Sequence, residues 1–176
     1  MVEVTEYFLT FVPKYHTPPP FPIQIDTQIE KEAENMRNCY HWLYIFENTL
    51  RNFIHNCLLE RYGEKWFEEL SQRVKKEIEE NKKRWRGGIQ PRTPLEFTTL
   101  PTLSNILMSK WSDVFQDKFK NTNPTSLKES LNKIEGFRNT IAHNRMLTED
   151  ESKVFYYEVK SVLSSLEIKK VQIPRV

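Results

Sequence analysis

The sequence predicts an all-α protein, a four- to five-helix bundle preceded by an extended, proline-rich N-terminal arm. Apolar residues recur every three or four positions in long stretches without proline or glycine, which gives each predicted helix one apolar face. Five of the ten prolines lie between Pro13 and Pro22, where they exclude a regular helix. We therefore expect residues 1–25 to form the arm and residues 26–176 to form one helical domain.

The composition excludes several classes of protein. With 38% hydrophobic and 12% aromatic residues, the chain is too apolar to be intrinsically disordered. The formal net charge of +2 does not by itself require a nucleic-acid partner. No segment offers the roughly 20 apolar residues of a membrane helix. We expect a cytoplasmic protein that has no membrane partner.

The first long helix is predicted from Thr27 to about Arg61. The pair Thr27 and Glu30 has the spacing of a capping box, and Gly63 is a typical stop. Cys39 and Cys57 would lie about 27 Å apart on this helix at 1.5 Å per residue, too far for a disulfide, so we expect buried thiols. Two rows of side chains are predicted to face inward: Ile29, Met36, Leu43, Leu50 and Cys57, and Ala33, Tyr40, Glu47 and Ile54.

Four further helices are predicted after the first. They span about residues 64–86 and about residues 101–119, start near Pro124, and start with a second capping box at Thr148. The residues predicted to face inward on the last two are Leu127, Leu131, Ile134, Ile141, Val154, Phe155, Val162, Leu163 and Leu166.

One short stretch concentrates polar chemistry inside an otherwise apolar helix. It reads Arg138-Asn139-Thr140-Ile141-Ala142-His143 and is followed by Arg145. Asn139 and His143 are four residues apart and share a helix face, so a proton acceptor, an amide and two permanent cations come together. The competing interpretation is that these groups are ordinary polar residues that satisfy one another.

These residues resemble the HEPN superfamily, in which an Arg-x(4-6)-His motif, often with a polar residue after the Arg, lies late in an all-α domain. Glu47 and Arg51 on the first helix match its inward Glu-x-x-x-Arg context. The resemblance implies metal-independent cleavage of RNA by a homodimer. It also implies a role as a toxin or in antiviral defence, with an antitoxin or another defence-system protein as a partner.

The chemistry of the motif fits that implication. A histidine exchanges protons near neutral pH, so His143 is predicted to act as general acid or base on the 2′-hydroxyl or the leaving 5′-oxygen. Arg138 would balance the phosphate charge, and Asn139 would orient the imidazole or the phosphate. The expected products are a 2′,3′-cyclic phosphate and a 5′-hydroxyl.

Glu47, Arg51 and Arg145 are predicted to support the site. For Glu47, an ion pair that positions an arginine, either Arg51 or Arg138, is at least as good an explanation as direct catalysis. No Cys or His pair has metal-ligand spacing and no glycine-rich phosphate loop is present, so no cofactor or metal is expected.

A basic segment before the central prolines is the predicted RNA-binding surface. It carries an aromatic ring among cations, a combination suited to bases and phosphates. A solvated helix face is the alternative explanation. The residues are Lys82, Lys83, Arg84, Trp85 and Arg86.

The alternative to an endoribonuclease is a non-catalytic helical module for dimerisation or interaction, such as a scaffold or an immunity partner. In that case the polar cluster would only bind a partner. Nucleotide binding without cleavage is a weaker third hypothesis.

Overall fold

A computed structural model describes residues 26–86, 88 and 91–167, and the predicted arm therefore lies outside the described residues. The all-α prediction is confirmed: the described residues form five α-helices, joined by short 3-10 and π turns. A single antiparallel bridge joins Phe119 to Leu166. The helices are α1 (Thr27–Tyr62), α2 (Gln72–Arg84), α3 (Leu100–Ser109), α4 (Pro124–Ala142) and α5 (Glu149–Ser165).

The longest element is α1, with 36 residues. Its capping residue is Asp26, whose side chain accepts a hydrogen bond from the Gln28 N–H at 2.7 Å. The prediction that Thr27 caps the helix was therefore wrong by one residue, because the carboxylate one position earlier takes the free N–H. The predicted stop is confirmed, since Gly63 follows the helix with a φ of 62°.

The second predicted helix starts later than expected. Residues 66–70 form turns, and α2 begins only after Ser71, whose hydroxyl accepts from the Val74 N–H at 3.4 Å. Trp66 and Leu70 have helical spacing with Val74 in the sequence, and they are buried, but they lie in turns. Apolar spacing alone therefore did not separate a helix from a series of turns.

The third predicted helix ends earlier than expected. After Ser109 the chain continues as a π turn over Trp111–Phe115 and a 3-10 turn over Gln116–Lys118. The π turn is tied to the end of α1, because Asp113 accepts hydrogen bonds from Arg61 at 2.6 Å and from the Tyr62 hydroxyl.

The starts of the last two helices are confirmed. Pro124 is the first residue of α4, and Thr148 and Glu151 form the reciprocal capping box of α5. The inward prediction for Val154 was wrong, since it is exposed, whereas Glu158 is buried. Glu158 tolerates burial because Lys133 of α4 donates to its carboxylate at 2.6 Å.

The core lies where α4 and α5 pack against each other and against the middle of α1. Cys39 and Cys57 are buried free thiols, as predicted. The inward prediction for Ile29, Ala33 and Tyr40 was wrong, because the part of α1 before Cys39 is exposed or half-buried and Tyr40 faces solvent. Fully buried large side chains include Phe46, Leu50, Ile54, Leu58, Leu103, Ile106, Leu107, Phe115 and Phe155.

Every helix of the described residues is too short or too polar to cross a membrane.

Because Glu158 is buried, the free energy of unfolding is expected to change with pH in the acid range. Burial opposes its charge, but hydrogen bonds from Lys133 and Ser130 outweigh this effect and lower the pKa of Glu158 below its ordinary value of 4.5. Its contribution to stability is therefore complete above that value and is lost as the pH falls through the lower, folded-state pKa.

We expect Glu158→Gln to lower the free energy of unfolding by about 1–2 kcal/mol at pH 7 and by much less at pH 3, measured by urea denaturation. The exposed Glu149→Gln is the control. An equal loss from Glu158→Gln at both pH values would contradict this assignment.

Candidate active site

The predicted motif occupies the end of α4 and the turn that follows. His143 caps the helix, and its backbone N–H donates to the Asn139 carbonyl at 3.1 Å. Asn144 has a φ of 53°, a left-handed conformation in which asparagine is several-fold enriched over most residues. The backbone N–H of Arg145 closes the turn on the Thr140 carbonyl at 3.0 Å. The sequence had indicated a position inside a helix for His143. The structure places it at the helix end instead.

The imidazole of His143 is open to solvent. Asn139, His143 and Arg145 are all exposed. Among the described residues, the His143 side chain has no hydrogen bond or ion pair. Its two ring nitrogens are thus accessible to a ligand.

The Arg138 guanidinium has polar contacts with two side chains among the described residues. Its Nε lies 3.6 Å from Oε1 of Glu47 on α1, and its Nη1 donates to the Asn139 side-chain oxygen at 3.3 Å. The side chain keeps 36% of its surface exposed. A guanidinium fixed in this way retains donors for a phosphate group.

Glu47 is shared between two arginines. Arg51 donates from Nη2 to Oε2 of Glu47 at 2.7 Å and also to the Thr98 carbonyl at 3.2 Å. Only 15% of the Glu47 side chain and 12% of the Arg51 side chain are exposed. The sequence offered Arg51 or Arg138 as the partner of Glu47, and the structure pairs it with both.

The Arg51 guanidinium is not fully satisfied. Its Nε is buried without a hydrogen-bond partner among the described residues. The Thr98 contact was not predicted, because every residue has a backbone carbonyl and the residue type does not show which one accepts a hydrogen bond. Thr98 follows the 3-10 turn Pro94–Phe97, which the sequence had left irregular.

α4 runs antiparallel to α1 along the site. Arg138 lies beside Glu47, and beyond the helix end the Leu147 carbonyl accepts from the Asn35 side-chain amide at 3.2 Å. The turn that contains His143 is therefore fixed to α1 on both sides.

The predicted RNA-binding segment lies at the end of α2. Lys82, Lys83 and Arg84 form its exposed last turn. Trp85 keeps 36% exposure and meets the Phe97 ring edge-on, with centroids 6.4 Å apart. Arg86 donates to the Lys83 carbonyl at 3.0 Å.

This basic segment is connected to the Glu47 pair through one turn. Asn81 of α2 donates to the Phe97 carbonyl at 2.8 Å. The next residue, Thr98, offers its carbonyl to Arg51. The cations of α2 and the Glu47–Arg51 pair are thus anchored on adjacent peptide units.

The other two described histidines pack on tryptophans. The His55 ring lies edge-on to Trp66 with centroids 5.0 Å apart, and burial lowers the pKa of His55. The His41 ring meets Trp42 with centroids 5.9 Å apart. Both histidines therefore contact aromatic side chains within the fold.

A cavity of about 440 Å³ lies away from the motif. It opens between α2 and α3, with Arg73 and Lys110 among its lining residues, and neither Arg138 nor His143 lines it. Within the described residues, no three His, Cys, Asp or Glu side chains are grouped so that they could hold a metal ion. The motif is an open surface site.

Comparison with known proteins gives one match. Residues 41–167 match the model of a family described as Swt1-like HEPN. The matched span contains Glu47, Arg51 and the whole Arg138–His143 motif. Searches of curated proteins and of solved structures found no match.

Removing the shared carboxylate should destabilise the domain. Glu47→Ala leaves Arg51, a largely buried cation, without its charged partner, so we expect the free energy of unfolding to fall by about 1–3 kcal/mol in urea denaturation. Glu80→Ala breaks an i,i+4 pair on the exposed face of α2 and should change it by less than about 0.5 kcal/mol. Equal effects of the two variants would show that Glu47 holds neither arginine.

Proposed function

The chain belongs to the Swt1-like HEPN family, and on this premise we propose that it is a metal-independent endoribonuclease. The observation that carries the proposal is an exposed imidazole, His143, five residues after a guanidinium, Arg138, that is anchored by Glu47 and keeps 36% of its surface exposed. His143 is the general acid or base, and Arg138 stabilises the phosphate. Asn139, which accepts from Arg138, orients either group.

The proposed reaction uses a nucleophile that RNA itself carries. The 2′-oxygen attacks the adjacent phosphorus while its proton passes to the His143 imidazole. The bond from phosphorus to the 5′-oxygen breaks, and that oxygen takes up a proton. The products are a 2′,3′-cyclic phosphate and a 5′-hydroxyl, and DNA, which has no 2′-hydroxyl, is not cut.

A homodimer is part of this proposal. One imidazole cannot accept the first proton and donate the second in the same step, so a second copy of the chain, or water, supplies the other function. A toxin or antiviral-defence role, with an antitoxin or another defence-system protein as partner, rests on the HEPN resemblance.

The supporting residues have two different proposed roles: some position other side chains and some bind RNA. Glu47 and Arg51 are positioning residues, since they act through Arg138 and the turn at Thr98. Arg145 is exposed next to His143 and is assigned to the RNA backbone. The segment from Lys82 to Arg86 is assigned to strand binding, with Trp85 as a ring for a base.

The first test is cleavage in EDTA. We expect the wild type to cut RNA to cyclic-phosphate ends, with kcat reduced at least 100-fold in His143→Ala and Arg138→Ala, measured on labelled oligonucleotides. His41→Ala, which removes an imidazole that packs on Trp42, is the matched control and should retain activity.

Cleavage that disappears on chelation would exclude the metal-independent mechanism. Folded His143→Ala protein, verified by circular dichroism, that still cuts at the wild-type rate would exclude the assigned residue. If no variant and no wild-type preparation cuts RNA, the non-catalytic interaction module is the better function.

The second test measures the salt dependence of RNA binding. Replacing Lys82, Lys83 and Arg84 with alanine should lower the slope of log Kd against log salt by about 2, since each phosphate contact with a single strand contributes about 0.7. A charge-matched control replaces Lys65, Lys128 and Lys160, which are exposed and lie outside α2. Equal slopes in the two triple variants would mean that the α2 cations only solvate a helix face.

A further inference from the structure

Two exposed tyrosines continue the site along α1. Tyr40 and Tyr44 are 61% and 62% exposed. They are four residues apart, and Glu47 and Arg51 follow at helical spacing, so all four side chains form one stripe along the helix. The stripe changes from half-buried charges at Glu47 and Arg51 to open aromatic rings at Tyr44 and Tyr40.

The antiparallel packing of α1 and α4 places the tyrosines at the level of the histidine. Starting from the contact between Glu47 and Arg138, His143 lies about 7.5 Å along α4 at 1.5 Å per residue. In the same direction Tyr44 and Tyr40 lie about 4.5 Å and about 10.5 Å along α1. The backbone of His143 is therefore level with the gap between the two tyrosines.

Neither ring takes part in the packing of the described residues. Neither ring lies against another aromatic ring of the described residues, and neither is part of the core. Two exposed rings next to each other form a contiguous patch, and such patches mark interaction sites more often than a single exposed ring does. Arg138 contacts Glu47 on the same stripe, and Arg145 is exposed on the turn that follows α4, so the cations at this end of α4 are complementary to a polyanion.

We propose that Tyr40 and Tyr44 form a stacking platform for unpaired bases, so that the site takes single-stranded RNA and rejects duplex. This inference rests on the proposed function, because it names the substrate class of the same site. Side chains four residues apart on a helix have Cβ atoms about 5–6 Å apart, which lets two rings engage neighbouring bases. Bases inside a duplex are stacked on each other and have no free face to offer. The phosphate between two such bases would lie near Arg138, which contacts Glu47 on the same stripe.

The platform is tested with a strand that cannot be cut. We measure the Kd of a 2′-O-methyl oligonucleotide by fluorescence anisotropy for wild type, Tyr40→Ala, Tyr44→Ala and Tyr44→Phe. Each alanine variant should bind about 10- to 100-fold more weakly, and Tyr44→Phe, which keeps the ring, should bind within about twofold of wild type. Tyr157→Ala on α5 removes a tyrosine that is even more exposed and should leave Kd unchanged.

A second strand isolates the stacking contact. Abasic sites at two adjacent positions remove the bases but keep the phosphates. Wild-type protein should bind this strand about as weakly as Tyr44→Ala binds the intact one, and Tyr44→Ala should cause no further loss. A full loss from Tyr44→Ala on the abasic strand would overturn the stacking role.

The same variants separate the remaining outcomes. Wild-type Kd in both alanine variants, or equal binding of single strand and duplex by wild type, overturns the platform. A change in oligomeric mass on light scattering with unchanged Kd also overturns it, and assigns the tyrosines to a protein interface. Because the strand is not cleaved, an absence of nuclease activity would refute the proposed function while tyrosine-dependent binding still supported the platform.

Discussion

The site depends on one carboxylate shared between two guanidiniums. Glu47 is largely buried, and a carboxylate in that position is tolerated only when hydrogen bonds replace its lost hydration. Arg51 supplies them from the same helix, and Arg138 approaches from α4. Two guanidiniums against one carboxylate leave one net positive charge, and Arg138, the more exposed of the pair, carries it to the surface. The need to satisfy Glu47 is therefore also what presents a cation at the surface.

The helix end gives the histidine a different environment from the arginine. Arg138 lies within α4 and is held by its neighbours, whereas His143 lies where the helix stops and the chain turns through Asn144. That turn is short and fixed at its far side by the contact of Leu147 with Asn35 and by the capping box at Thr148. The imidazole is consequently exposed on a constrained backbone, an arrangement that suits a group required to exchange protons at a defined place.

The sequence predicted what local chemistry determines and missed what packing determines. The stop at Gly63, the start at Pro124 and the box at Thr148 depend on residues within one turn, so they could be read directly. Trp66 and Leu70 have helical spacing but lie in turns, because burial fixes their positions without requiring helical hydrogen bonds. The sequence placed Tyr40 in an apolar row, yet no helix of the described residues covers it. Whether Tyr40 is buried depends on where α4 packs against α1, which the sequence does not show. For the site, residue types and spacing indicated the motif and Glu47, but not the Thr98 carbonyl or the tyrosine pair.

The link between Glu47 and Arg138 also bears on synthesis of the protein. These residues come from the first and fourth helices, so a ribosome must make most of the domain before they can meet. A chain still emerging has the carboxylate and Arg51 but no motif, and a fragment with the motif alone has nothing to anchor its arginine. Assembly of the site is thus confined to the finished fold, which would protect the cell's own transcripts from incomplete copies of the proposed nuclease.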